Sequence, residues 1–287
     1  MRRDPRLFGV ARTRWTLDTL RQTVDWLADR SRSGVWRVLD ALAVVLKRGR
    51  EHVHSPDPHY DAKRAAIAAC LEAARASDGR LVALFQDEVT LHRQPSLAPA
   101  WESRGRAQAL AERSYRGDAP TRIVGTLDAR DGRVLFRRRG ELGVPALVGF
   151  YKAVVVAYPG ADRIDVVLDN WPIHFHPDLL VALQPQRCPF PFPRPGNWPD
   201  EPSAEAARKW GELHLPIRLV PLPTYASWLN PIERLWRRLR QEVVHLHPWA
   251  DDLPALRDAA DEFLARFADG GAAGVDLLRY VGLGTHE

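Results

Sequence analysis

Short apolar runs that end in carboxylates are the feature that most constrains the fold of this chain. LVALFQDE (81–88) and RIDVVLDN (163–170) are each typical of a buried strand, and each places an acid at the end of the run. IRLVPLP (217–223) predicts a third core strand. These three runs define the centre of the expected sheet.

The remaining periodicity predicts two more strands and several helices. TRIVGTLD (121–128) and RVLFRRR (133–139) indicate strands joined by the turn ARDG, and PDLLVALQ indicates a short helix. The proline-rich stretch 185–202 is expected to be irregular. Longer helices are expected at about 59–77, 144–157, 231–245 and 253–268. Strands that alternate with helices in this way predict an α/β fold with a sheet of mixed direction.

Asp87 and Asp169 are the first candidate metal ligands. Phosphodiester chemistry uses two divalent metal ions about 3.5–4 Å apart that hold the attacking and leaving oxygens. Magnesium prefers oxygen ligands, and such ligands belong at the carboxyl ends of strands in an α/β sheet. An Asp at a strand end also commonly starts a turn, so each acid taken singly has a structural interpretation. Glu88 competes with Asp87 for the role, and Asn170 is placed either to bond within a turn or to orient Asp169.

Glu233 is open to two interpretations. In LNPIERLWRRL, Asn230 is the expected N-cap, Pro231 the first helical residue and Glu233 the third, which is the arrangement of a capping box. Glu233 also lies beside Ile232, at the edge of the apolar face of the helix, where it can point toward the two aspartates. Spacing alone does not decide between capping and catalysis.

Positive charge is concentrated in the N-terminal fifth of the chain. Residues 1–50 contain 12 Lys+Arg and 5 Asp+Glu, whereas the other 237 residues carry a small net negative charge. Apolar residues at helical spacing predict two short helices, one through Leu17 and Leu27 and one through Val35 and Leu46, joined by the polar turn DRSRSG. This pattern is compatible with a DNA-binding helix-turn-helix and equally with a plain helical hairpin. The charge bias favours DNA.

Basic side chains near both candidate sites are the expected phosphate contacts. In the N-terminal module these contacts are Arg32, Ser33, Arg37, Lys47, Arg48 and Arg50. On the helix that follows Glu233 they are Arg234, Arg237 and Arg238, for which a solvated basic face is the competing interpretation. The alternate histidines 174, 176, 245 and 247 favour surface or DNA-contacting positions over a zinc site.

Three blocks of the sequence together resemble the mariner-type superfamily, in its bacterial insertion-sequence branch. They are FQDEVTLHRQPSLAPAWESRG (85–105), VVLDNWPIHFHP (166–177) and LPTYASWLNPIERLWRRLRQEV (222–243). The last block is the most specific, because a Leu-Pro-x-Tyr turn followed by Leu-Asn-Pro-Ile-Glu and a Trp is rarely met elsewhere. The stretch 8–63, which ends HVHSPDPHYDAK, resembles the DNA-binding half and linker of the same enzymes.

The resemblance implies a ribonuclease H-like catalytic fold behind a small all-α helix-turn-helix module. It implies a catalytic triad of Asp87, Asp169 and Glu233 that binds two Mg²⁺ or Mn²⁺ ions, with Asn170 and Asn230 beside the acids. The implied activity is cut-and-paste DNA transposition: cleavage at element ends, then strand transfer into target DNA, typically at TA. The implied partners are double-stranded DNA, as terminal inverted repeats and target, and a second copy of the chain in a homodimer.

The sequence departs from the family pattern in two places. Asp169 and Glu233 are 64 positions apart, a longer interval than usual, and the excess falls in an insertion at about 185–212. A DNA-contacting insertion, through Trp198, Arg194 and Lys209, and a surface loop are the alternatives, and the tolerance of long loops favours the second. Only about one helix-turn-helix unit fits before residue 50, so recognition of the element ends by this module alone is in doubt. The expected organisation is 1–50 DNA-binding module, 51–78 linker and connecting helix, and 79–287 catalytic domain.

Apolar run length, the N-terminal sequence and the cysteine count argue against membrane, secreted and disulfide-rich proteins. No apolar run approaches the ~18 residues of a membrane span, and the N-terminus lacks a signal-peptide core, so a cytoplasmic, nucleoid-associated protein is expected. Two cysteines, Cys70 and Cys188, supply no disulfide framework. Two alternatives to a transposase stay open: a catalytically silent DNA-binding regulator derived from one, and a ribonuclease H-like nuclease that cuts but does not join.

Overall fold

The computed structural model of the protein describes residues 3–47, 54–185, 190–192 and 194–284. The chain divides into two compact units, residues 1–53 and 54–287. The first unit is helical and contains α1 (Leu17–Thr23) and α2 (Arg32–Ala41). Its small core is formed by Leu20, Leu27 and Val35. Two short helices are therefore present, as the periodicity predicts. The first is shorter than predicted, because α1 ends at Thr23 and Asp25–Leu27 form a separate 3-10 helix.

The second helix of this unit is shorter than the apolar stripe suggests. α2 ends at Ala41, and Ala43 adopts a left-handed conformation (φ 55°) that cannot continue a right-handed helix. Leu42 and Leu46 are consequently exposed, so the expectation of a buried stripe up to Leu46 is wrong. Two of the expected DNA contacts, Arg48 and Arg50, lie outside the described residues.

The second unit is built on a five-stranded sheet with the order β3-β2-β1-β4-β5. The β1–β2 and β2–β3 pairs are antiparallel, whereas the β1–β4 and β4–β5 pairs are parallel, so the expected mixed direction is confirmed. The strands are β1 (Leu81–Leu91), β2 (Thr121–Asp128), β3 (Val134–Arg139), β4 (Arg163–Leu168) and β5 (Ile217–Pro221).

Helices cover both faces of this sheet and enclose two apolar cores. One core lies under α3, α7, α8 and α9, and the other lies under α4, α5 and α6. No helix in the described ranges is both long enough and apolar enough to span a bilayer. The helices are α3 (Tyr60–Ala76), α4 (Val144–Ala157), α5 (Pro177–Leu180), α6 (Ala204–Trp210), α7 (Ile232–Leu239, continued by a π-helical turn Arg240–Val244), α8 (Leu253–Ala265) and α9 (Gly271–Val281).

Strand β1 is longer than predicted, and this changes where Asp87 lies. The sequence predicts a strand that ends at residue 88, but β1 continues to Leu91 through its pairing with β2. Its parallel pairing with β4 stops at Phe85, which is opposite Val167. Asp87 therefore lies within β1, opposite Gly125 of β2, just past the last pair with β4. The expectation that Asp87 ends its strand is wrong, although its neighbour β4 does end there.

The proline-rich insertion packs against its own domain. Trp198 lies 4.6 Å from the ring of His176, between ring centroids, and Arg194 forms a 2.7 Å ion pair with Asp200. The ammonium group of Lys209 lies over the ring of Trp210 at 5.2 Å. Each of these three side chains thus has a partner in this domain. The insertion is more than a surface loop, however, because it includes α6, whose Ala206 and Trp210 are buried in the core.

Helix α9 is an element that the sequence analysis missed, because two of its first four residues, Gly271 and Gly274, are poor helix formers. The structure shows why glycine is needed there. A Cβ added to Gly274 would clash with the carbonyl oxygen of Asp131, and a Cβ added to Gly132 would clash with the backbone of Gly274. The turn between β2 and β3 therefore packs directly on the backbone of α9.

Substituting Gly274 tests this backbone contact. We expect Gly274→Ala to lower the free energy of unfolding by about 1–3 kcal/mol, since extra atoms would be forced into a packed contact. Gly149→Ala is the matched control, because Gly149 lies within α4 and an added Cβ would meet nothing within 4 Å. The control should gain about 0.5–1 kcal/mol from helix propensity. Urea unfolding followed by circular dichroism measures both, and effects of the same sign would contradict the packing.

Candidate active site

A cavity of about 500 Å³ lies beyond the carboxyl ends of β4 and β5. Its walls include Asp87 from β1, Asp169 from the residue after β4, and Glu233 from the first turn of α7. The structure thus brings the three acids of the expected triad to one cavity. They come from three elements separated by long stretches of chain, and the short reach of β4 leaves the space that they share.

Asp87 is held in place by a tryptophan of α7. The indole N–H of Trp236 donates a 3.0 Å hydrogen bond to Oδ2 of Asp87, and Trp236 itself is fully buried. Gly125, opposite Asp87 on β2, makes room for this ring, because a Cβ there would lie 2.7 Å from Cη2 of Trp236. The sequence pattern around Trp236 did not reveal this contact.

Crowding of carboxylates disfavours the charged form of Asp87. Burial, followed by repulsion from Glu233 and Glu88, raises the pKa of Asp87 to about 8. Carboxylates that repel one another in a shared cavity are suited to binding a cation. The energetic conflict is relieved when positive charge enters the cavity.

Glu233 does not form the capping box that the sequence allows. Helix α7 begins at Ile232 with Pro231 as N-cap, and no side-chain capping bond is present. Asn230, the expected N-cap, instead donates from Nδ2 to the carbonyl oxygen of Gln86 on β1 at 3.0 Å. Burial raises the pKa of Glu233, and Asp169 adds to the rise against the opposing charges of Arg240 and Arg237. Within the described part of the chain, the Glu233 carboxylate accepts no hydrogen bond.

Asp169 has a different environment from the other two acids. Its Oδ1 accepts a 2.9 Å hydrogen bond from the backbone N–H of Trp171 and lies 3.5 Å from Nε2 of His174. Burial opposes ionisation, but the His174 side chain and the Trp171 amide outweigh it and hold the pKa of Asp169 below its usual value. Asp169 is therefore the carboxylate of the three that is stabilised in its charged form.

His174 connects Asp169 to Glu88. His174 is almost completely buried, so the expectation of a surface or DNA-contacting histidine is wrong at this position. Burial alone would lower the pKa of His174, but Glu88 and Asp169 raise it to about 9. The ligand-capable atoms of Glu88, Asp169 and His174 lie within 4.8 Å of one another, so this cluster is geometrically able to bind a cation. A protonated imidazole, however, already supplies positive charge to it.

Glu88 and Asp87 point to opposite faces of β1, because successive side chains of a strand alternate. Asp87 lines the cavity together with Asp169 and Glu233, whereas Glu88 accepts a 3.1 Å hydrogen bond from Gln86 beneath it. Of the two neighbouring acids, Asp87 lines the cavity, whereas Glu88 belongs to the cluster with Asp169 and His174. Asn170 also lines the cavity, and its Nδ2 donates to the carbonyl oxygen of Leu222 at 2.8 Å.

The basic residues that follow Glu233 have different surroundings. Arg234 donates to the carbonyl oxygen of Val281 at the end of α9, and Arg238 donates to Glu242 at 2.6 Å. Both guanidinium groups therefore have protein partners. Arg237 is exposed and close enough to Glu233 to influence its charge. Arg237 is the one of these three arginines best placed for a ligand at the cavity.

Comparison with known proteins agrees with this geometry. A family model described as "DDE superfamily endonuclease" matches residues 82–257, which is more than half of the chain. The chain belongs to this family. The matched region contains all three cavity acids, and the resemblance noted from the sequence is confirmed.

A curated relative is the insertion element IS630 uncharacterized 39 kDa protein of Shigella sonnei. It is 22% identical to this chain over 254 residues, which cover 86% of the chain and 63% of the relative. The chain therefore spans less than two thirds of the length of that protein.

Solved structures with a similar fold include two complexes of the Mos1 transposase. The Mos1 mariner paired end complex with Mn has a TM-score of 0.55 and 14% identity, covering 93% of this chain and 75% of that one. The Mos1 paired-end complex with left transposon end has the same TM-score and 16% identity, covering 96% and 76%. These likenesses confirm the ribonuclease H-like fold of the chain, with a helical N-terminal region.

The contact between Trp236 and Gly125 can be tested by a double-mutant cycle. Gly125→Ala should lower the free energy of unfolding by about 1–3 kcal/mol, because the new Cβ would press on the indole ring. In a Trp236→Phe background the cost should be smaller, since phenylalanine lacks the outer ring atoms that would clash. Urea unfolding of the four proteins gives the coupling energy. An equal cost in both backgrounds would show that Trp236 is not what requires glycine at position 125.

Proposed function

We propose that this protein is a DDE transposase that cleaves DNA at the ends of an insertion sequence and joins those ends to target DNA. The main support for this proposal is that Asp87, Asp169 and Glu233 line one cavity in a chain of the DDE endonuclease family. The proposed reaction begins with water, which hydrolyses a phosphodiester bond at each element end and leaves a 3′-hydroxyl. That hydroxyl then attacks a target phosphodiester, forming one P–O bond as another breaks, at a TA dinucleotide.

The residues present fit a pair of divalent cations. Carboxylate oxygens are the ligands that Mg²⁺ and Mn²⁺ prefer, and the cavity offers one carboxylate without a hydrogen-bond donor, Glu233, and one with a raised pKa, Asp87. The related Mos1 complexes include forms described with Mn and with Mg. Two such ions would activate the attacking oxygen and stabilise the leaving oxygen.

The chain's own residues contribute orientation. Trp236 fixes the carboxylate of Asp87, while His174 and the Trp171 amide fix that of Asp169. Both acids are therefore pre-oriented before DNA arrives, which limits the reorganisation that the reaction requires. Arg237 is placed to contact a phosphate beside the cut site.

The N-terminal unit is proposed to bind DNA through α2. Ser33 and Arg37 are exposed on this helix, and Lys47 is exposed beyond it. Arg32 is exposed as well, and its only close acidic partner within the described residues is Asp18, at a long 3.8 Å. An exposed pair at this distance contributes little to stability, so Arg32 remains available to a phosphate.

Two alternative functions make different predictions. A silent DNA-binding regulator would bind DNA without metal-dependent cleavage, and a simple nuclease would cleave without joining. The proposed reaction also needs two active sites for two ends, and we propose a homodimer for that reason. Inverted repeats bordered by a duplicated TA in the flanking DNA would support an insertion sequence.

Substitution of the cavity acids should abolish cleavage without unfolding the protein. Asp169→Asn and Glu233→Gln are each expected to reduce Mn²⁺-dependent plasmid nicking by more than about 100-fold, beyond the ~10–100-fold cost of losing an outer partner of a metal ligand. Asp162→Asn is the control, because Asp162 is an exposed partner of Arg80 outside the cavity. Wild-type protein that nicks no faster than the Asp169→Asn variant would favour the regulator instead.

Joining is tested separately from cutting. Pre-cut ends taken from the inverted repeats that border the coding sequence are incubated with target plasmid, Mn²⁺ and wild-type protein. Covalent joining, with insertion sites at TA in sequenced products, is the expected result. Plasmid hydrolysis with no joined product would support the nuclease and exclude transposition by this chain.

A further inference from the structure

The turn Leu222–Tyr225 forms one wall of the acid cavity and has no regular secondary structure of its own. It connects the end of β5 to the short 3-10 helix Ser227–Leu229 that precedes α7. Tyr225 adopts φ 55°, a left-handed conformation that costs energy for a residue with a side chain. Such a conformation persists only when surrounding contacts hold it, so the contacts of this turn are informative.

Asp57 supplies the main contacts to the turn. Its Oδ2 accepts hydrogen bonds from the backbone N–H of Thr224 at 2.8 Å and from Oγ1 of Thr224 at 3.3 Å. Its Oδ1 accepts from the backbone N–H of His59 at 2.8 Å. Ser55, two residues earlier, donates from Oγ to the carbonyl oxygen of Thr224 at 2.5 Å. The segment before α3 is therefore bonded to both backbone groups of Thr224.

Lys63 extends the connection toward the metal-binding acids. Its Nζ lies 2.8 Å from Oδ2 of Asp57 and donates to the carbonyl oxygen of Leu222 at 3.5 Å. The same carbonyl accepts the 2.8 Å hydrogen bond from Asn170. Asn170 directly follows Asp169 in the chain. The Leu222 carbonyl oxygen thus accepts hydrogen bonds both from the ammonium group of Lys63 and from Asn170, the neighbour of Asp169.

The ion pair between Asp57 and Lys63 is deeply buried, with side-chain exposures of 3% and 5%. The ring of Phe190 lies over the ammonium group at 5.8 Å and helps to exclude water. Lys63 and the Thr224 amide hold the pKa of Asp57 well below its usual value, although burial opposes this. Burying two charges recovers little stability compared with apolar residues of the same size. The main effect of the pair is therefore on geometry, because four donors are fixed around the carboxylate of Asp57.

We propose that Asp57 and Lys63 are positioning residues for the metal site, acting through the Leu222–Tyr225 turn and Asn170 on Asp169. The inference rests on the proposed function, because it concerns the site of Asp87, Asp169 and Glu233. It adds residues outside the matched family region 82–257, in the segment that enters the catalytic unit from residue 54. Neither residue lines the cavity, so their effect on a metal ion must be transmitted through the turn.

Asp57→Asn tests this inference with Mn²⁺ alone as the probe. An amide presents one donor group, so it leaves either the His59 N–H or the Lys63 and Thr224 donors without an acceptor. Binding of Mn²⁺ to the full chain, measured by electron paramagnetic resonance of the free ion, should weaken about tenfold, at the lower end of the ~10–100-fold range for outer partners of metal ligands. Ser55→Ala removes another bond to the same turn without changing a charge. It should weaken binding about twofold, and it serves if Asp57→Asn does not fold.

Asp165→Asn is the matched control for loss of a buried, paired carboxylate. Asp165 is as buried as Asp57, and both of its oxygens accept from Arg163 and Arg218. It lies within β4 and does not line the cavity. The control should lower thermal stability, as Asp57→Asn does, yet leave Mn²⁺ affinity unchanged.

A double-mutant cycle with Asn170→Ala identifies the route. If Asp57 acts through the turn and Asn170, the effects of the two substitutions on Mn²⁺ affinity should be less than additive. Equal Mn²⁺ affinities of Asp57→Asn and Asp165→Asn would overturn the positioning role and leave the metal site intact. Full additivity with Asn170→Ala would overturn the route. Absence of Mn²⁺ binding by the wild-type chain would instead overturn the proposed metal site, and with it this inference.

Discussion

The unequal lengths of two parallel neighbours determine the rest of this site. β1 continues to Leu91, whereas its partner β4 ends at Leu168, so the sheet leaves one flank of β1 without a neighbour. Asp87 lies at that flank and lines the same cavity as Asp169, the residue that follows β4. Burial and mutual repulsion then make the acids a costly arrangement until a counter-charge is present. A divalent cation bound in the cavity would lower this repulsion.

Two neighbouring segments restrict the movement of the acid side chains without neutralising their charge. Trp236 of α7 donates a hydrogen bond to Asp87 on β1. Asn230, just before α7, donates one to the carbonyl oxygen of Gln86. On the other side, the Leu222 carbonyl holds Asn170 beside Asp169. The exceptions are His174, which brings positive charge to Asp169, and the arginines 237 and 240, whose charges oppose the rise in the pKa of Glu233. The bonds that hold Asp87 and Asn170 in place are uncharged and directional.

The sequence predicted the strands and the three acids, because apolar runs and an unusual motif around Glu233 carry strong local signals. It misplaced the end of β1, since the length of a strand is set by pairing with β2, a contact that periodicity does not reveal. It offered Asn230 as a helix cap, but tertiary contact with β1 outcompeted the local bond. It missed α9, where close backbone packing selects glycine against helix propensity. It also gave Asp57 and Lys63 no role, because their partners lie about 160 positions away along the chain.

The contacts between α7 and β1 also make the position of Glu233 relative to Asp87 independent of the length of the chain before β5. Glu233 and Trp236 lie on the same rigid helix, and Trp236 is bonded to Asp87 on the central strand. The separation of the Asp87 and Glu233 carboxylates is therefore set by the hydrogen bond between Trp236 and Asp87 and not by the number of residues that precede the helix. Segments inserted upstream of β5 can lengthen, shorten or diversify during evolution while the spacing of the acids stays the same.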